Sequence, residues 1–124
     1  PPPSLDPKWW APHTGYTLAK MGMSFVTLGL AAEFGPQGVA VNALWPRTLI
    51  ATEALNMIPG VSAGNGRTPT IMADAAHAVL TRPAQGFHGQ FLIDDEVLGE
   101  AGITDFSRYA VDASQPLYPD LFLD

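Results

Sequence analysis

No cysteine occurs among the 124 residues of the chain. That removes a disulfide framework, thiolate metal sites and thiol nucleophiles together. Positive charge is scarce as well: six Lys and Arg stand against twelve Asp and Glu, for a formal net charge of −6. A surface of that sign repels phosphate backbones rather than gathering counterions around them, so neither nucleic acid nor an anionic membrane is an expected partner. Long hydrophobic runs are missing too. No apolar stretch approaches the roughly 20 residues that span a bilayer, and the opening Pro1-Pro2-Pro3-Ser4 has no basic region leading into an apolar one. The expectation is a cytoplasmic chain without a signal peptide. His13, His77 and His88 are scattered, with no second imidazole at ligand spacing, so no metal site is expected.

What remains suffices for a core, since 47% of the residues are hydrophobic and 15% charged at the size of one ordinary domain. The chain opens on three prolines and not on Met, which raises the expectation of a segment of something longer. Pro1, Pro2, Pro3, Pro7 and Pro12 predict extended loop over residues 1–13, anchored by Trp9 and Trp10. From Thr14 to about Phe34, Leu18, Met21, Phe25, Leu28 and Ala32 recur at steps of three and four, as one face of a helix that Gly35-Pro36 ends. Small residues at Ala19, Gly22, Ser24, Gly29 and Ala31 leave its other faces thin. Such faces suit close packing against a second helix or a dimer partner.

Gly38 to Leu44 is a short apolar run with β-branched residues and reads as a buried strand. A brief helix is expected from Thr52 to Ile58, then a loop of low local order marked by Pro59, Gly60, Gly64, Asn65 and Gly66. Thr68-Pro69 predicts a helix start with Thr68 as cap and Pro69 in the first helical position, Ile71, Ala75, Ala78 and Val79 supplying its buried side. Gly86 to Ile93 is the second expected strand. Asp94-Asp95-Glu96 stands where carboxylates favour the start of a following helix, and irregular structure is expected beyond Gly102. The order helix, strand, helix, strand argues for an α/β fold with a parallel sheet and a crossover. Two strands cannot cover both faces of such a sheet, so the chain is expected to be the second half of a unit about twice its length.

Tyr16 and Lys20 stand four residues apart near the start of the first long helix, which puts phenol and ammonium on one face. A phenol with a reference pKa of about 10 moves protons poorly near neutrality, and a fixed cation favours the phenolate. The spacing alone also describes a common solvated pair.

The surrounding residues carry more. Tyr16-Thr17-Leu18-Ala19-Lys20, the helix ending at Glu33-Phe34-Gly35, the stretch Gly38-Val39-Ala40-Val41-Asn42-Ala43-Leu44-Trp45-Pro46, and Gly89-Gln90-Phe91-Leu92-Ile93-Asp94 together resemble the short-chain dehydrogenase/reductase family, over almost the whole chain. Trp9, His13, Ala43-Leu44-Trp45-Pro46, Asp94-Asp95-Glu96 and the ending from Pro116 to Asp124 look like one subgroup of it.

The resemblance implies the C-terminal half of a Rossmann-type doubly wound parallel sheet, with residues 1–124 belonging to one domain whose cofactor-binding half is absent from this chain. It further implies NAD or NADP as cofactor and a small carbonyl or alcohol as substrate. Tyr16 would exchange the proton, and Lys20 would hold the nicotinamide ribose and lower the Tyr16 pKa. The Ile50 backbone and Thr52 would meet the nicotinamide amide, with Tyr16 and Pro46 also binding the cofactor, although Arg47 replaces the glycine usual after Pro46 and Thr52 lies one residue later than is common. The family's serine is expected just before Pro1, which leaves Ser4 a plain loop residue. The glycine-rich turn that cradles a pyrophosphate does not occur, so this polypeptide by itself is not expected to bind a dinucleotide. Arg47 is a candidate contact for a cofactor phosphate or substrate carboxylate, or a rim residue. Trp45 belongs in the core or beside the site. Leu55, Met57, Ile58 and Val61 make the segment 53–67 apolar and suggest a hydrophobic substrate. A homodimer or homotetramer is expected. The competing reading is a non-catalytic piece that uses the same fold for oligomer packing or ligand binding.

Overall fold

Asp6 opens the first regular element. Its carboxylate accepts a hydrogen bond from the Lys8 amide at 3.0 Å, and Pro7 takes the first helical position, where its missing N–H costs nothing. A single helical turn, α1 (Pro7–Trp10), therefore forms where the proline count predicts only extended loop. The structure is a computed structural model and describes residues 1–123.

The helix α2 (Thr14–Phe34) runs over the expected residues, but the face it buries is not the expected one. Thr17, Met21, Ser24, Thr27 and Ala31 are buried, whereas Leu18, Phe25 and Leu28 are 63%, 52% and 43% exposed. Backbone satisfaction explains the difference. Prolines carry no N–H, so the N-terminal segment brings carbonyls in excess of donors. Hydroxyls on α2 supply part of the deficit: Thr17 Oγ1 donates to the Trp9 carbonyl at 2.6 Å, and Ser24 Oγ donates to the Pro1 carbonyl. A 3-10 turn over Gly35–Gln37 ends the helix, and Gly38, at φ 81°, turns the chain away in the left-handed region that glycine adopts without strain.

Two strands follow, β1 (Ala43–Trp45) and β2 (Phe91–Ile93), paired as a two-stranded parallel sheet and joined through a helical crossover. Both are shorter than the apolar runs predict. Just ahead of the ladder the Asn42 side chain takes over the pairing: Nδ2 donates to the Phe87 carbonyl at 3.1 Å and Oδ1 accepts from the Gln90 amide at 3.0 Å. Residues 1–45 and 82–92 form one compact unit, and residues 46–81 and 93–123 form another.

In the second unit α3 (Thr70–Leu80) packs on α4 (Asp94–Glu100), burying Ile71 and Ala75 against a core that also holds Val97 and Leu98. Full burial of each larger aliphatic side chain contributes about 1.5–3 kcal/mol. α3 starts later than its signature suggests. Pro69 is the cap, and the Thr68 amide donates to the Tyr109 carbonyl at 2.7 Å. Ala78 and Val79 are only half-buried. The stretch before α3 is a loop with a 3-10 turn at Ala63–Asn65, at whose end Asn65 and Arg67 are both 8% exposed. Beyond Gly102 the chain is irregular as expected, with one 3-10 turn at Ser107–Tyr109. Among the described residues no helix is long and apolar enough to cross a membrane.

Candidate functional site

Helix α2 places Tyr16 and Lys20 one turn apart. The Lys20 ammonium lies 5.4 Å from the centre of the Tyr16 ring and 5.8 Å from the centre of the Trp45 ring. Trp45 ends β1 and is 9% exposed, so a buried indole contributes to holding the lysine beside the phenol. Tyr16 itself is 45% exposed, accessible to a small molecule. Trp45, left open between core and site by the sequence, is thus both a buried residue and a neighbour of Lys20.

Pro46, Ile50 and Thr52 belong to the second unit, in the loop that leaves β1. Its backbone is pinned on two sides. Arg67 N donates to the Leu49 carbonyl at 2.8 Å and the Ala51 amide donates to the Arg67 carbonyl at 2.9 Å, which pairs Ile50 with Arg67 in a parallel bridge. On the other side Leu49 N donates to the Tyr118 carbonyl at 3.0 Å, and Asp120 N donates to the Arg47 carbonyl at 3.0 Å. Gly66 permits this approach, because a Cβ there would stand 2.7 Å from the Leu49 carbonyl oxygen. Pro46 and Ile50 are half-buried, and Thr52 is exposed.

The Arg47 guanidinium, held open between a ligand contact and a rim position by the sequence, pairs with two carboxylates: Nε meets Asp95 Oδ1 at 3.1 Å, and Nη2 pairs with Glu96. Burial works against that charge, but the hydrogen bonds and charges of Glu96 and Asp95 outweigh it and hold Arg47 above its ordinary value. The other Asp95 oxygen accepts from Arg67 Nη1 at 3.3 Å, and Arg67 in turn lies over the Phe106 ring at 5.5 Å. Asp94 is fully buried. Its Oδ1 accepts from the Arg47 amide at 2.8 Å and the Asp95 amide at 2.7 Å. Burial pushes the Asp94 carboxyl above the usual carboxylate range, against the pull of those two amides. The acidic triplet therefore does start α4, as its charge suggests, and also binds two arginines that the sequence does not connect to it.

No family profile matches the chain. Over its whole length it is 50% identical to hydroxysteroid dehydrogenase-like protein 2 of Danio rerio and 46% identical to the Homo sapiens protein of that name. It spans 30% and 29% of the length of those two relatives. Among solved structures, a candidate dehydrogenase from Xanthomonas campestris superposes with a TM-score of 0.97 at 77% identity, covering all of this chain and 46% of that one. A short-chain dehydrogenase from Mycobacterium thermoresistibile gives 0.87 at 42% identity, covering all of this chain and 44% of that one. These likenesses support the relationship to short-chain dehydrogenases that the Tyr16, Asn42 and Gln90 segments suggest, and the chain shares with them an α/β fold of Rossmann-like type.

Proposed function

We propose that residues 1–124 are the C-terminal part of one short-chain dehydrogenase domain, whose whole protein oxidises or reduces a small, hydrophobic alcohol or carbonyl with NAD or NADP. The observation that carries this reading is the Lys20 ammonium set 5.4 Å from the Tyr16 ring on the first turns of α2. Tyr16 Oη gives its proton to the carbonyl oxygen during reduction and accepts one from the alcohol during oxidation. Lys20 favours the phenolate and holds the ribose hydroxyls. A bound nicotinamide supplies or takes the hydride.

The residues present fit a nicotinamide end and not a pyrophosphate. The loop at Pro46, Ile50 and Thr52 has a backbone pinned on both sides and an exposed Thr52 hydroxyl, while no glycine-rich phosphate turn occurs. The Ile50 backbone and Thr52 take the nicotinamide amide, and Pro46 and Tyr16 also bind the cofactor. Met57 and Ile58, 80% and 46% exposed, offer apolar surface on the segment after that loop, in keeping with a hydrophobic substrate.

The protein works in the cytoplasm as a homodimer or homotetramer. Leu18, Phe25, Val26 and Leu28 on the outer face of α2 favour assembly, and they also support the competing reading of a non-catalytic packing or ligand-binding piece. Turnover separates the two. In the protein that carries this chain, NAD(P)H absorbance against a panel of aliphatic and steroid-like carbonyls should show hydride transfer that Tyr16→Phe abolishes. Wild-type turnover by the Phe variant on any accepted substrate overturns the role of Tyr16 and favours the packing reading.

A further inference from the structure

Asp95 is one carboxylate shared by two guanidinium groups. Oδ1 meets Arg47 Nε at 3.1 Å, and Oδ2 meets Arg67 Nη1 at 3.3 Å. The two arginines hold opposite ends of one loop. Arg47 begins it, directly after Pro46, and Arg67 forms the backbone bridge to Ile50 near its far end. Nothing in the order of the chain brings positions 47, 67 and 95 together, so the charge arrangement is built by the fold alone. It is also costly to disturb: Arg67 is 8% exposed and Asp95 carries only 18% side-chain exposure, so neither charge regains full hydration when its partner is lost. Glu96 adds a second carboxylate to Arg47, but its side chain is 61% exposed, and that contact is the weaker tether.

We propose that Asp95 is a positioning residue, which clamps the loop 47–52 through Arg47 and Arg67 in the shape that grips the nicotinamide end of the cofactor. The clamp acts on the backbone of Leu49, Ile50 and Ala51 and touches no reacting atom. Its consequence for binding rests on the reading of this loop as the cofactor loop. A clamp of this kind makes affinity for the dinucleotide, rather than the chemical step, the quantity that Asp95 controls.

The test uses Asp95→Asn, which keeps the size of the side chain and removes its charge, in the protein that carries this chain. NMR amide exchange should show faster exchange at Ala51 and Arg67, whose amides make the bridge, with the α2 amides unchanged. KM for NAD(P) should rise on the order of tenfold, below the 10²-fold that an ångström of misplacement can cost, with kcat altered much less. Asp95→Glu, which keeps the charge, should restore part of the affinity. Arg47→Gln, at a half-exposed position, gives the same direction of change where the Asn variant fails to fold. Wild-type exchange at Ala51 and Arg67 together with wild-type KM in a folded Asp95→Asn or Arg47→Gln protein overturns the proposal. Absence of any dinucleotide binding by the wild-type protein overturns the functional reading instead, and amide exchange then still judges the clamp.

Discussion

Tyr109 Oη donates a hydrogen bond to Asp74 Oδ2 at 2.7 Å from a ring that is 1% exposed, fastening the irregular C-terminal segment to α3. Arg108 closes the group from outside, with Nη2 3.2 Å from the same carboxylate oxygen. Tyr109→Phe keeps the packing and removes the donor, and should cost about 1–2 kcal/mol, since hydrogen bonds to charged groups contribute about 1.5–3 kcal/mol and Asp74 is partly hydrated. Tyr109→Ala also leaves a cavity and should cost about 3–5 kcal/mol. Urea denaturation followed by tryptophan fluorescence reads both. Equal costs for the two variants would mean that the phenol contributes through its hydroxyl alone.

Asp94 predicts a pH dependence of definite sign. Burial raises its folded-state pKa above the ordinary 3.8, so the folded protein binds this proton more tightly than the unfolded chain does. The resulting stabilisation is complete below 3.8 and is lost as pH rises through the folded value. Asp94→Asn keeps an oxygen for the Arg47 and Asp95 amides and removes the ionisation. Its stability relative to wild type should therefore increase from acid to neutral pH in thermal melts. A relative stability that falls over that range would show that the Arg47 and Asp95 amides, with Arg67, outweigh burial.

Gly66 and Gly22 should respond oppositely to alanine. At Gly66 the new Cβ meets a backbone oxygen, Leu49 O, at 2.7 Å, and the strain should cost about 1–3 kcal/mol. At Gly22 nothing lies within 4 Å in this chain, and helix propensity alone should add up to about 1 kcal/mol. Monomer stability in denaturant distinguishes the two.

The same Gly22→Ala change, combined with Gly29→Ala, examines assembly. Both glycines lie open on α2. If a helix of a second copy approaches there, two added methyl groups should shift the protein toward smaller species in light scattering at fixed concentration. Unchanged assembly would place any contact on the Leu18 and Phe25 side of the helix instead.

Tyr16 and Lys20 should fail as a unit. Tyr16→Phe and Lys20→Met should each remove most of the turnover, and the double variant should lose far less than the sum of the two in free energy. Additive losses in steady-state kinetics would separate the residues into independent roles.

The long helix and the parallel order of the two strands are legible in the sequence, because periodicity and apolar runs are local signals. The buried face of α2 is not. Counting apolar residues favours Leu18, Phe25 and Leu28, whereas the partner of the other face is a proline-rich backbone that asks for hydroxyl donors. α1 was within reach, since Asp6 before Pro7 is a cap followed by a first-turn proline. The Thr68 amide meets the Tyr109 carbonyl from a distant part of the chain, and the pairing of Arg47 with Asp95 joins residues just past the ends of two different strands. Neither leaves a mark on local sequence. The likeness of the Tyr16 and Lys20 segment to a known family was readable residue by residue, but the clamp on the loop behind Ile50 depends wholly on the fold.

The hydroxyl face of α2 inverts the usual rule for which helix positions tolerate change. Thr17 Oγ1 answers the Trp9 carbonyl and Ser24 Oγ the Pro1 carbonyl, the latter with a longer 3.5 Å contact to Lys20 O, so these small residues act like the cuts of a key that fit the chain preceding them. Valine at 17 or alanine at 24 preserves volume and removes a hydrogen-bond donor, while the bulky outward leucines accept many replacements as far as this chain alone is concerned.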